Sequence, residues 1–331
     1  MEINCENIIE KWKKDPNFCK KNKVAVSDIN NHIKLLDTLK DDYEVEQKFA
    51  IANFREGASR PLRREKDDNV KSRALAKVAE RVNDGQRVTA KDAQQILKEA
   101  RLELKTENNP NYEEIADNSS IEWSTGDFIT QVSHLQDIDL ILTDPPYGAL
   151  FGKEEWDLLG QFAARVLADG GYLVFYRGQR QAVDIYTTLP KNLNHYWTFA
   201  VIHRKHSSIH HKKFYNCFKF IEIFTKGEPR EHAWSRDVLD GDYTDSCKDF
   251  HEWSQPLGEA KTIIDLFCPE NGTVLDPMCG AGTVPIAAYQ LGRKAYGCDI
   301  DSKAIKSCKV RFAELVKTSA CDSLESAAAV A

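Results

Sequence analysis

The stretch "GTVLDPMCGAGTVPIAAYQLGRKAYGCDID", residues Gly272–Asp301, decides the fold. It contains a β-branched run that ends at Asp276, a turn with Gly280 and Gly282, an apolar helical segment, and a second strand run that ends at Asp299. A strand, a tight turn, a helix and a second strand are the repeating unit of a parallel α/β sheet. The pattern predicts such a sheet, with a ligand at the carboxyl ends of its strands.

The turn also indicates the class of ligand. Glycines at a strand-to-helix turn let a ligand approach the backbone closely, and an acid such as Asp299 at the tip of the next strand suits a ribose diol. Neither the GxGxxG dinucleotide fingerprint nor a GxxxxGK[ST] phosphate loop is satisfied. The sequence therefore predicts a nucleoside site without phosphate recognition, which S-adenosylmethionine fits.

A second motif, "LTDPPYG" at residues 142–148, follows the apolar run "IDLIL". Proline fixes φ and has no backbone donor, so two consecutive prolines end a central strand in a stiff segment. We therefore expect a rigid Asp-Pro-Pro-Tyr at the tip of a buried strand.

Composition limits the protein class. The chain has 331 residues, 42% of them hydrophobic, and a formal net charge of -6. No run approaches the roughly 18 apolar residues of a membrane helix, and the amino terminus lacks a signal-peptide pattern. We expect a cytoplasmic, nucleoid-associated protein that does not act at a membrane. The nine cysteines form no CxxC pair, so neither a metal site nor a disulfide framework is expected.

The chain divides by pattern into three parts. Residues 1–115 show helical spacing and form a helical appendage, in which Thr89 and Asp92 have the form of a capping box. Residues 116–316 alternate strand and helix patterns, and residues 317–331 are predicted to be a disordered tail. The appendage is mildly basic between Arg55 and Lys77, which fits either a DNA- or partner-contacting face or an ordinary solvated surface.

The α/β part contains seven candidate strands. The fourth and fifth are joined too closely for a crossover helix, so we expect them to be antiparallel. In chain order the runs are "IEWST", "IDLILT", "GGYLVFY", "YWTFAVIHR", "FKFIEIFTKG", "TVLDPM" and "KAYGCDI".

With both motifs in hand, the chain resembles the amino-methyltransferases of DNA over roughly Ile121 to Glu314. It resembles their permuted β group in particular, because Asp-Pro-Pro-Tyr precedes the glycine turn. The resemblance implies a seven-stranded Rossmann-like methyltransferase sheet with permuted motif order. Two departures, Gln255-Pro256 for the usual Lys-Pro and Met278 for the usual Phe, bear on cofactor affinity rather than on the reaction.

The resemblance also implies roles for individual residues. S-adenosyl-L-methionine is the expected cofactor, and Asp127 is expected at its adenine, although this acid would also serve as a helix cap. The expected cofactor-binding residues are Asp127, Asp276, Pro277, Gly280, Gly282, Thr283 and Asp299. The expected catalytic residues are Asp144, Pro145, Pro146 and Tyr147.

The tetrapeptide suits methylation of a nucleobase amine. The lone pair of such an amine is delocalised into the ring, so acceptors for both N–H bonds favour a nitrogen that points its lone pair at the methyl donor. The Asp144 carboxylate and the Pro145 carbonyl are the expected acceptors, preorganised by the prolines. Tyr147 is expected to stack on the base.

The expected partner is duplex DNA with a flipped adenine, because a base inside a duplex cannot reach this geometry. The basic run between Val201 and Phe214 is a candidate phosphate contact, although alone it would also fit a solvated loop. Its candidate residues are Arg204, Lys205, His210, Lys212 and Lys213. Phe218 or Phe220 could stack on the flipped base or belong to the core. A homodimer is compatible with the sequence.

Other activities stay open. Cytosine N4 is the main alternative target, and an RNA amine methyltransferase or an inactive DNA-binding partner subunit are weaker alternatives. Asp at the first position of the tetrapeptide favours adenine in the family. A carbon-5 cytosine methyltransferase would need a Pro-Cys nucleophile, and the chain has only the reversed Cys268-Pro269.

Overall fold

The computed structural model describes residues 26–46, 53–54, 56–117, 120–147, 151–209, 213–241 and 257–330. The chain divides into two compact units, Met1–Asn108 and Asn109–Ala331. Among the described residues, no helix is both long and apolar enough to cross a membrane.

The first unit is helical, as its periodicity predicts. Its described helices are α1 (Val26–Asp41), α2 (Glu56–Arg64), α3 (Asp68–Asn83) and α4 (Ala90–Asn108). They bury one apolar cluster that includes Leu39, Leu62, Val78 and Ile96. The predicted capping box is confirmed, because the Thr89 amide donates to Asp92 Oδ2 over 2.8 Å at the start of α4.

The second unit begins at Asn109, before the predicted boundary at residue 115, and its first helix is α5 (Tyr112–Asp117). The helix belongs to the second unit because it packs on the carboxyl-terminal helix α11 (Ser302–Val330). Lys309 of α11 donates to Asp117 over 2.7 Å. The helix α11 also continues through the segment that was predicted to be disordered, which contains no Gly or Pro to stop it.

One eight-stranded sheet organises this unit, in the order β1-β8-β7-β2-β3-β5-β4-β6. All seven predicted strands are present, and the sheet has one additional short strand. The strands are β1 (Ile121–Thr125), β2 (Ile138–Thr143), β3 (Leu167–Arg177), β4 (Asn194–Ile209), β5 (Phe214–Thr225), β6 (Val238–Asp240), β7 (Thr273–Asp276) and β8 (Lys294–Asp299).

The strand directions match the expectation from the connections. Strands β1, β8, β7, β2 and β3 are parallel, β5 is antiparallel to both β3 and β4, and the additional β6 runs parallel to β4. The carboxyl ends of β1, β8, β7 and β2 consequently meet at one edge of the sheet.

Helices cover both faces of the sheet. They are the short α6 (Phe128–Gln131), α7 (Lys153–Val166), α8 (Ala182–Thr188), α9 (Leu257–Phe267), α10 (Thr283–Gln290) and α11. Alternate residues of β2 point to opposite layers, since Leu140 and Leu142 belong to one buried cluster and Ile141 to the other. Burial on both faces explains why the predicted central strands read as nearly continuous apolar runs.

A buried ion pair fixes β3 to β5. Arg177 at the end of β3 is 7% exposed and donates from Nε to Glu222 of β5 over 2.5 Å, and Glu222 is fully buried. The hydroxyls of Tyr186 and Thr198 also donate to Glu222 over 2.8 to 2.9 Å. The carboxylate is therefore compensated by the Arg177 charge, by two hydroxyl donors and by the His195 ring, whose Nε2 lies 3.2 Å from Glu222 Oε2.

We expect Arg177→Met to lower the free energy of unfolding by about 3–5 kcal/mol, because it leaves Glu222 buried without its cation. The exposed pair Lys191–Asp157, with 3.8 Å between its charged atoms, provides the control. Lys191→Met should change stability by less than about 1 kcal/mol. Urea unfolding measures both, and equal effects of the two variants would contradict the assigned importance of the buried pair.

Candidate active site

A cavity of about 650 Å³ opens at the carboxyl edge of the sheet. Its wall joins the tetrapeptide after β2, the glycine turn after β7, the end of β8 and the loop after β1. The lining residues are Gly126, Asp127, Phe128, Asp144, Pro145, Pro146, Tyr147, Pro277, Met278, Gly280, Asp299 and Ile300. The two motifs that are far apart in sequence thus share one cavity.

The tetrapeptide forms a fixed corner of this wall. The Tyr147 hydroxyl donates to Asp144 Oδ1 over 2.6 Å, and the Tyr147 ring remains 43% exposed. Desolvation, followed by the charge of Asp144, raises the pKa of Tyr147, so the phenol stays protonated and keeps donating. One carboxylate oxygen of Asp144 is thereby held in a defined orientation beside an aromatic surface.

The glycine turn has the room that a close ligand needs. Gly280 has φ +49°, and a Cβ built on it would meet no atom within 4 Å. The Gly280 amide donates to Asp299 Oδ2 over 2.8 Å, which ties the turn to the tip of β8. The turn and the acid are therefore held together at one side of the cavity.

Three of the predicted cofactor residues lie behind the wall rather than in it. The Asp276 carboxylate is buried and accepts from the Met278 amide over 3.1 Å. Gly282 has φ +72°, and a Cβ there would lie 2.9 Å from Cys308 Sγ. The buried Thr283 hydroxyl accepts from Arg311 over 3.0 Å. These three residues therefore contact the turn and its surroundings without lining the cavity.

Asp127 is confirmed as a helix cap, whereas its contact with the cofactor adenine stays a prediction. Its side chain accepts from the Ile129 amide over 2.8 Å and so caps α6, and the same residue lines the cavity. Sequence reasoning did not single out its neighbours Gly126 and Phe128, nor Ile300 after Asp299. These three residues could have been predicted as cavity residues, because each is adjacent in sequence to a predicted site acid.

The cavity carries excess negative charge. Burial raises the pKa of Asp276 to about 7, and the nearby carboxylates of Asp299 and Asp144 raise it too, against a lowering by the Met278 amide. Carboxylates gathered at one edge disfavour each other's ionisation and favour a positively charged ligand. The sulfonium of S-adenosylmethionine carries such a charge.

The basic run between Val201 and Phe214 forms the end of β4 and the start of β5, a hairpin of which the structure describes all residues except 210–212. Arg204 and Lys205 lie in β4, with no description of their side chains, and Lys213 lies at the turn before β5 with φ +57°. The predicted contacts His210 and Lys212 fall outside the described residues. The pairing register aligns Phe220 with both Arg177 and Ala200, so later β4 residues and earlier β5 residues extend beyond the tip of β3. The hairpin therefore projects from the edge that carries Asp144.

Comparison with known proteins identifies the family. A family model described as DNA methylase, of the N6 and N4 type, matches residues 138–310, more than half of the chain. The chain belongs to this family. It is a DNA methyltransferase of the class that methylates adenine N6 or cytosine N4, with S-adenosylmethionine as the methyl donor.

Individual relatives are more distant. The type II methyltransferase M2.MboI of Moraxella bovis is 25% identical over 251 residues, which cover 60% of this chain and 90% of that protein. The complex of M1.HpyAVI with S-adenosylmethionine is 19% identical with a TM-score of 0.48, and the match covers 58% of this chain and 99% of that one. The PvuII cytosine-N4 DNA methyltransferase has a TM-score of 0.49 at 13% identity, covering 59% of this chain and 88% of that one.

The pKa of Asp276 predicts a pH dependence of stability. Burial raises the pKa of the native Asp276 carboxyl to about 7 from its ordinary value of 3.8, so the native state binds more protons than the unfolded state between these values. The free energy of unfolding of the cofactor-free protein should therefore fall as pH rises from about 4 to about 7, by up to about 4 kcal/mol for this group.

The side-chain amide of Asp276→Asn does not titrate, so this variant should not show the fall in the free energy of unfolding between about pH 4 and pH 7. Urea unfolding at pH 5 and pH 8 measures the difference, with Asp169→Asn at a largely exposed position as the control. Parallel pH curves for the parent and Asp276→Asn would show that the carboxyl has an ordinary pKa.

Proposed function

We propose that the protein methylates the N6 amine of a flipped adenine in DNA. The single observation that carries the proposal is the shared cavity, which Asp144 and Tyr147 line together with Gly280 and Asp299. One end of the cavity suits a nucleoside sulfonium and the other suits a planar base. Asp at the first tetrapeptide position supports adenine over cytosine through the family resemblance.

The chain's residues would act by orientation. S-adenosylmethionine supplies a methyl group on a positively charged sulfur, which leaves as a neutral thioether. Asp144 and the Pro145 carbonyl would accept hydrogen bonds from the two N–H bonds of the amine and direct the nitrogen lone pair towards the donor. The methylated nitrogen then carries an additional proton, which Asp144 is positioned to accept.

DNA binding would use the hairpin of β4 and β5. The cations Arg204, Lys205, His210, Lys212 and Lys213 are proposed to contact phosphates. Phe218 is 36% exposed and meets Phe220 edge to face, with 5.0 Å between ring centroids. Phe220 is covered by the Arg177 guanidinium at 4.0 Å from its ring centroid, so Phe218 is the better candidate for stacking on an everted base.

The target base is identified by incubation with labelled S-adenosylmethionine and unmethylated genomic DNA, followed by nucleoside mass spectrometry. N6-methyladenine is the expected product. N4-methylcytosine would show that the target is cytosine instead of adenine, and absence of both products would refute the proposed function.

Asp144→Ala should slow methyl transfer by about 10²–10⁴-fold, because the amine loses its oriented acceptor. Cofactor affinity, measured by calorimetry, should change far less than the rate, because the adenosine contacts at the glycine turn remain. Asp169→Ala, which removes an exposed carboxylate at the opposite end of β3, is the control. If Asp144→Ala retains the parent rate, another group accepts the amine protons.

Asp299→Asn should weaken S-adenosylmethionine binding by about tenfold, because a charged acceptor for the ribose hydroxyls becomes neutral. The amide oxygen can still accept from the Gly280 amide, whereas the Asp301 amide, which donates to Asp299 Oδ1 over 2.9 Å, loses its carboxylate acceptor. Asp301→Asn is the matched control, since Asp301 caps α11 through the Lys303 amide and asparagine caps equally well. Equal calorimetric affinities for the two variants would refute the ribose role.

A further inference from the structure

A buried glutamine connects the catalytic tetrapeptide to the neighbouring strand. Gln181 is 5% exposed and lies in the short 3₁₀ turn Gln179–Gln181 after β3. Its Nε2 donates to the Pro146 carbonyl over 3.3 Å, and its Oε1 accepts from the Gly178 amide over 3.0 Å. The side-chain amide thus bridges the tips of β2 and β3 with both of its polar ends.

The β3 side of this bridge is rigidly held. The Gln181 amide donates to the Gly178 carbonyl over 3.3 Å, so backbone and side chain both bind this glycine. Arg177, the preceding residue, is fixed by its buried ion pair with Glu222. A displacement of Gln181 would therefore require the end of β3 to move.

The β2 side of the bridge is the segment that needs positioning. Proline has no backbone N–H, so the Asp144–Tyr147 segment has few hydrogen-bond donors of its own with which to fix its orientation. The Pro146 carbonyl is occupied by Gln181, whereas the neighbouring Pro145 carbonyl is the proposed acceptor for the target amine. Gly178 also lies against the tetrapeptide, since a Cβ built there would be 3.5 Å from Tyr147 Cδ1.

We propose that Gln181 is a positioning residue for methyl transfer, which holds the Pro146 carbonyl so that Pro145, Asp144 and Tyr147 present one fixed surface to the target base. This inference rests on the proposed function of the tetrapeptide. Gln181 acts through the Pro146 peptide and does not touch the reacting atoms.

Gln181→Glu separates this role from a merely structural one. The ionised carboxylate still accepts from the Gly178 amide but cannot donate to Pro146, whereas the protonated acid donates as the amide does. Burial raises the pKa of such a carboxyl. Activity should therefore be lowered at pH 8, where the carboxyl is ionised, and should recover on acidification.

Gln179→Glu is the matched control. Gln179 lies in the same turn and is exposed, so the substitution adds the same charge nearby without changing the bridge. Gln181→Met removes both hydrogen bonds at similar size and should lower activity at every pH.

The experiment measures single-turnover methyl transfer to DNA as a function of pH, with each rate divided by the parent rate at the same pH. Gln181→Glu should be slower by about tenfold to a hundredfold at pH 8, the size of effect that a small misplacement of a reacting group produces. Its relative rate should rise as pH falls, while the ratios for Gln179→Glu and Gln181→Met stay flat. A flat, parent-like ratio for Gln181→Glu would overturn the proposal.

A second readout does not depend on activity. In protein labelled with 3-fluorotyrosine, the resonance of Tyr147, assigned with Tyr147→Phe, should shift in Gln181→Glu at pH 8 and return towards the parent position on acidification. An unshifted resonance would also overturn the proposal. Absence of DNA methylation by the parent would refute the proposed function alone, because the resonance still decides whether Gln181 positions the tetrapeptide.

Discussion

The parallel pairing of β2 with β7 is the constraint on which the site depends. Leu140 pairs with Val274 and Ile141 with Leu275, so the residues that follow each strand emerge side by side. Neighbouring strands lie about 4.8 Å apart, which is short compared with a nucleoside. Asp144 and the glycine turn can therefore line one cavity although more than a hundred residues separate them in the chain. The hydrogen-bond ladder does not depend on chain order, which is why permuted motifs produce the same edge.

Charge and rigidity at this edge work together. Burial, and to a smaller extent the nearby carboxylates of Asp299 and Asp144, make ionisation of Asp276 costly and raise its pKa. A positively charged ligand would relieve that cost. The base-facing side is stiffened differently, by two prolines, by the Tyr147 hydrogen bond to Asp144 and by the bridge from Gln181 to the firmly held end of β3. Orientation of an amine with a delocalised lone pair requires this kind of preorganisation.

Much of this arrangement could be predicted from sequence because the signals are local. The glycine turn, the acid after β8 and the Asp-Pro-Pro-Tyr segment each lie within a few residues of a strand end, and the apolar runs identify seven strands. Three residues are too few for a pattern, so β6 was missed. The assignment of α5 to the second unit depends on its packing against α11. The contacting residues Asp117 and Lys309 are 192 positions apart in the chain, so no local pattern reveals this packing. Gln181 and Glu222 matter through partners on other strands, and a single sequence does not reveal such partners.

A crystal structure of the protein with DNA and a non-reactive analogue of S-adenosylmethionine tests the central claim most directly. The account predicts an everted adenine with its N6 about 2.6–3.2 Å from the Asp144 carboxylate and the Pro145 carbonyl. It also predicts the analogue in the same cavity, with its ribose hydroxyls at Asp299. An analogue bound elsewhere, or a target amine that contacts neither Asp144 nor Pro145, would contradict it.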